Sequence, residues 1–143
     1  MLTTERLTQL ISTKRAILTQ LREIGQRQTD LAASGDIGSL LSLLGAKQNL
    51  IATLQELETA LRPHYGEDPD KRSWRSAQER VACAQHASEC NTLLEDILRL
   101  EKLAADKMTA RRNEVAEQLQ QVHAASQVRN AYEAQRRTMT KVT

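Results

Sequence analysis

Residues 70–143 run for 74 positions without a glycine or a proline. All five glycines (Gly25, Gly35, Gly38, Gly45, Gly66) and both prolines (Pro63, Pro69) come earlier. With the two strongest helix breakers gone, the Ala, Glu, Gln, Arg, Lys and Leu that dominate this stretch favour helix almost throughout. A single helix of ~50 residues is ~75 Å long, more than a small domain can cover. Part of it must project, fold back, or lie against another chain.

The residues before it supply two candidate partners. Leu7, Leu10, Ile11, Ile17, Leu18, Leu21, Ile24, Leu31 and Ala32 recur in steps of three and four. That spacing makes one apolar stripe on a helix over 4–33. Gly25 interrupts it. Ser34-Gly35-Asp36 then offers a helix-ending glycine and a capping aspartate, the chemistry of a tight reversal between antiparallel helices. Leu40, Leu41, Leu43, Leu44, Leu50, Ile51, Leu54, Leu57 and Leu61 mark a second helix over 37–61. Pro63 is expected to stop it. A polar loop follows, and the third helix begins either at once behind Pro69 or at the capping box Ser76-Ala77-Gln78-Glu79.

That third helix carries Val81, Cys83, Ala87, Cys90, Leu93, Leu94, Ile97, Leu98 and Leu100, then thins to Leu103, Ala104, Met108, Val115, Leu119 and Val122. Lys107 and Arg111 fall where a buried face would want carbon, and Val128 and Tyr132 stand at i, i+4. At ~1.5 Å per residue the first two helices reach ~45 and ~36 Å, enough to cover the third only as far as about Leu103. The expected fold is all-α. It is an elongated antiparallel up-down-up three-helix bundle with a long C-terminal helix or helical extension. One domain spans 1–143, with the third helix over about 70–130, continuous or broken.

Composition narrows the function. Twenty leucines, one Trp, two Tyr and no Phe give an aliphatic core and little material for a base-stacking platform. The net charge of +2 sets up no strong field toward nucleic acid or membrane. No apolar run approaches the ~18 residues of a membrane span, and the first residues form no secretory signal, so a cytoplasmic location is expected. Basic pairs at Lys71-Arg72, Arg111-Arg112 and Arg136-Arg137 lack interleaved aromatics, which argues against nucleic-acid binding. Residues 106–143 hold seven cations, Lys141 among them, and four carboxylates. Trp74 suits a lid over the bundle end.

Cys83, His86 and Cys90 at i, i+3 and i+7 share one helix face and are zinc-ligand types. One helix rarely supplies three tetrahedral ligands, so packing on the core stripe is the plainer role. A disulfide between the two is excluded, since seven residues set their Cα atoms ~10.5 Å apart against a limit of ~7 Å. No phosphate loop, nucleophile elbow or metalloprotease motif is present. Nothing in the sequence argues for an enzyme, and no cofactor is expected; a metal at Cys83, His86 and Cys90 is the lesser alternative to packing.

The turn and its flanking helices resemble flagellar export chaperones of the FlgN type. The likeness rests on Arg27-x3-Leu31-x3-Gly35-Asp36-x3-Leu40-Leu41-x5-Lys47-x2-Leu50-x3-Leu54-x2-Leu57. A long third helix with Asn91-x-Leu93-Leu94 and a tyrosine near its end extends it. FliT-type chaperones are similar. The resemblance implies a cytoplasmic chaperone of type III flagellar export. Such a protein holds amphipathic helical segments of hook–filament junction proteins on its C-terminal helix, with hook-associated clients and export-gate components as partners. On that basis Val115, Leu119, Val122, Val128 and Tyr132 are the expected contact residues. The alternatives are a homo-oligomeric coiled-coil structural or adaptor protein, a homodimer for instance, and a last helix folded back on its own molecule.

Overall fold

The structure is a computed structural model that describes residues 2–142, with side chains described for residues 3–137. The side chain of Lys141 lies outside the described residues. In chain order the elements are β1 (Leu2–Thr3), α1 (Glu5–Ser34), α2 (Ile37–Tyr65), a 3-10 turn (Pro69–Lys71), β2 (Arg72–Ser73) and α3 (Ala77–Val142). The chain divides into two compact units, one ending at Ala105 and one starting at Asp106. The first unit is the three-helix bundle, and the second is helix alone.

Local chemistry sets the element ends. Gly35 closes α1 with φ 78°, the only positive φ among the described residues, and its N–H donates to Leu31 O at 3.0 Å. Glycine takes that left-handed conformation at no steric cost. Asp36 caps α2, its carboxylate accepting from the Ser39 N–H at 3.2 Å and the Ser39 hydroxyl at 2.8 Å. These two hydrogen bonds, the hydroxyl first, hold the Asp36 pKa below its ordinary value.

The second boundary departs from expectation. The α2 helix runs through Pro63 to Tyr65. A proline in the last turn forfeits a single ladder bond. The Arg72 guanidinium donates to the nearby His64 carbonyl at 2.6 Å, and the Glu67 N–H does so at 3.2 Å. Of the two starts open for α3, Pro69 begins only the 3-10 turn, which Asp68 caps. The helix itself begins at Ala77, where the Ser76 hydroxyl accepts from the Glu79 N–H at 3.1 Å.

Two apolar clusters hold the bundle. Near its looped end Leu7, Leu10, Ile11, Leu61 and Cys83 pack together, with Trp74 against them as a lid. Further along, Ile17, Leu18, Leu21, Cys90 and Leu93 form the second. Leu18 and Leu61 are completely buried, each contributing roughly 1.5–3 kcal/mol by the area removed from water. The α1 stripe is buried as its spacing predicts, except that Leu31 is half-buried. On α2 only Leu40 and Leu61 are buried. Leu40, Leu41, Leu43 and Leu44 crowd more than one side of a helix at ~100° per residue. They cannot all face inward, and Leu41 is exposed.

Polar ties fix the register. Lys47 donates to Gln28 Oε1 at 3.1 Å and pairs with Glu101, so one α2 ammonium joins all three helices. Burial pulls its pKa down. The Lys14 ammonium pairs with Glu58, whose other oxygen accepts from the Tyr65 hydroxyl at 3.2 Å. Burial opposes the charge on Lys14, but the Glu58 bond and the surrounding charges outweigh it, and the pKa rises. At Gly25 a Cβ would stand 3.3 Å from Leu100 Cβ, so the missing side chain is what lets α3 lie close there. Below the bundle β1 pairs in parallel with β2, Leu2 with Arg72 and Thr3 with Ser73. The buried Thr4 hydroxyl donates to Ser73 O at 3.0 Å, and Arg75 pairs with Glu5.

Candidate functional site

Among the described residues the second unit has no core. Every residue of 106–137 is exposed except Lys107 and Ser126, which are half-buried. Met108, Val115, Leu119 and Val122 are all among the exposed large apolar residues. In a helix at ~100° per residue these four fall within about 60° of one another. They make one stripe roughly 21 Å long at ~1.5 Å per residue. So Val115, Leu119 and Val122, three of the expected contact residues, share a face. The other two do not. Counted from the centre of the stripe, Val128 lies about 150° round and Tyr132 about 110°, and both are exposed. Their i, i+4 spacing brings them near each other but not onto the stripe. A helix docked on the stripe covers the first three and leaves these two uncovered.

Met108 completes the stripe. It was visible in the apolar pattern but is absent from the contact set implied by the resemblance. Charge around the stripe is sorted. Arg111 and Arg112 flank it on either side, about 50° from its centre, with Arg129 beyond Val122 at the same offset as Arg111. Arg111 pairs with Glu114 at 3.6 Å, one turn along. Asp106 and Glu117 fall on the back of the helix, about 170° away.

The cysteine–histidine group is taken apart by packing. Cys83 belongs to one core cluster and Cys90 to the other, while His86 is half-buried. Burial pushes both thiols up in pKa, against the lowering hydrogen bond from Thr8 at Cys83 and the lowering charge of Lys14 at Cys90. A thiol held protonated is a poor nucleophile and a poor metal ligand. The Cys90 thiol donates to the Ile11 carbonyl at 3.9 Å. Both cysteines are free. Among the described residues no three of His, Cys, Asp and Glu gather as a metal-holding group.

Beside Trp74 a cavity of about 320 Å³ opens among Leu7, Ile11, Tyr65, Arg72 and Cys83. Two cations line it, Arg72 and Arg80. Arg72 donates to His64 O and pairs with Glu67 at 3.5 Å, though its buried Nε makes no hydrogen bond among the described residues. Among the described residues no helix is long and apolar enough to cross a membrane. No family model, curated protein or solved structure matches this chain.

Proposed function

We propose that this chain is an export chaperone of the FlgN type. Its last helix sequesters an amphipathic helical segment of a client in flagellar type III export, the hook–filament junction proteins being the clients that the resemblance implies. One observation carries the reading: four apolar side chains, all exposed, are aligned on one helix face that no described residue of their own unit shelters. The protein holds rather than transforms, and it works in the cytoplasm, where its client awaits secretion.

The strength of the stripe suits that task. Four apolar side chains contribute at most about 1.5–3 kcal/mol each on full burial. Association costs roughly 4–15 kcal/mol before any affinity appears. The balance favours a contact that forms and releases, as a client on its way to secretion requires, over a permanent coiled coil with a fuller seam.

Removing residues 110–143 is expected to abolish co-purification of the client while the bundle keeps its helical signal and cooperative unfolding. Leu119→Asp should do the same within an otherwise intact chain. Client capture by the truncated chain would refute the reading. Light scattering at micromolar concentration addresses the coiled-coil alternative, for which a concentration-dependent dimer is the signature.

A further inference from the structure

We infer that the partner helix received by the 108–122 stripe carries carboxylates along the borders of its own apolar face. This inference rests on the helix-docking reading and specifies its partner.

Charge is placed unevenly round the second unit. Within about 90° of the stripe centre, over residues 106–129, the charged side chains are Lys107, Arg111, Arg112 and Arg129. No carboxylate lies in that sector. Glu114 sits just outside it, paired with Arg111 at 3.6 Å, and Asp106 and Glu117 occupy the far side. Glu133 falls in line with the stripe, but beyond Arg129. The segment therefore has nearly balanced charge and an unbalanced distribution. A solvated helix has no reason to separate its charges this way, because alternating i, i+4 pairs stabilise it more.

A helix laid on the stripe meets guanidiniums on both flanks. Acidic borders would pair with Arg111 and Arg112 across the seam, as flanking charges do in coiled coils, whereas basic borders would be repelled. The same placement speaks against a second copy as occupant. In parallel register Arg111 and Arg112 meet their own counterparts. In the antiparallel register that lays 108 on 122, they face Leu119 and Gln118 and find no carboxylate.

Two labelled peptides of about five turns test this with the full-length chain. Both carry the same Leu face, one bordered by Glu and the other by Lys, and binding is read by fluorescence anisotropy at low and high salt. The Glu-bordered peptide is expected to bind at least about tenfold tighter at low salt, with the gap narrowing as salt screens the exposed charges. The double substitution Arg111→Glu, Arg112→Glu should invert the preference without moving the thermal midpoint. Equal affinities, or tighter binding of the Lys-bordered peptide, would overturn the charge inference while leaving helix docking in place. Binding of neither peptide would overturn both. A dimer abolished by Leu119→Asp would assign the stripe to a second copy and sink the inference as well.

Discussion

The residues before Asp106 and those after Ala105 draw on the same helical alphabet and put it to opposite uses. In the first unit Leu18 and Leu61 show 0% of their surface, whereas in the second Leu119 shows 65%. The side chain is the same and the spacing is the same, so what differs is the presence of neighbours. Leucine in the bundle is part of the fold's stability. Leucine in the second unit is left uncovered and adds little to the fold's stability.

Core truncation separates the two regions most sharply. Leu18→Ala and Leu61→Ala should each lose about 2–5 kcal/mol in urea denaturation. Leu119→Ala should stay within about 0.5 kcal/mol of the parent chain. A comparable loss at Leu119 would mean that the stripe belongs to the fold, and the comparison would fail.

Enlargement gives the next contrast. Gly25→Leu forces bulk against Leu100, whose Cβ already lies 3.3 Å from where the new Cβ would be. It should cost about 1–3 kcal/mol. Ala116→Leu, on an exposed turn of the second unit, should change stability by no more than about 0.5 kcal/mol.

A smaller effect is expected at Lys47. Lys47→Met leaves the buried Gln28 carbonyl without its donor, a loss softened because burial already disfavours the ammonium. A net cost of about 1 kcal/mol is expected. The value for the Gln28→Leu, Lys47→Met pair should fall below the sum of the singles, because the two share one bond.

The smallest effect concerns pH. The Asp36 carboxyl is held below its ordinary value of 3.8 by Ser39. Its stabilising contribution is therefore complete above that value and is lost as pH falls through the lowered one. The thermal midpoint of Asp36→Ala should lie slightly below that of the parent chain at neutral pH and converge with it in strong acid. A gap that persists in acid would show that the cap acts by some means other than its charge.

Much of the bundle could be read from the residues. The α1 stripe is unambiguous because its apolar positions occupy one face only. Gly35-Asp36 combines the two residue types that end one helix and begin the next. The geometric limit near Leu103 falls two residues from the unit boundary at Ala105, since helix lengths follow directly from residue counts.

Other features were hidden for identifiable reasons. Pro63 does not end α2, because in the last turn its missing N–H forfeits a single ladder bond, while Arg72 satisfies the His64 carbonyl at the helix end. The two-residue β1–β2 ladder is too short to leave a periodic trace. Leu40, Leu41, Leu43 and Leu44 score as core, yet a helix cannot turn all four inward. The resemblance places Val128 and Tyr132 in one contact set with Val115, Leu119 and Val122, and the helical phase across 115–132 sets them on another side of the helix. Lys47 stood out as a mid-helix lysine, but its tie to Gln28 and Glu101 depends on three helices meeting.

Hydrogen–deuterium exchange on the full-length chain tests the central claim most directly, with and without the Glu-bordered peptide. Amides of 106–137 should exchange far faster than those of 7–32 in the free chain, and slow selectively around 108–122 when the peptide is added. Strong protection of 106–137 in the free monomer would contradict the claim, as would peptide-induced protection confined to the bundle.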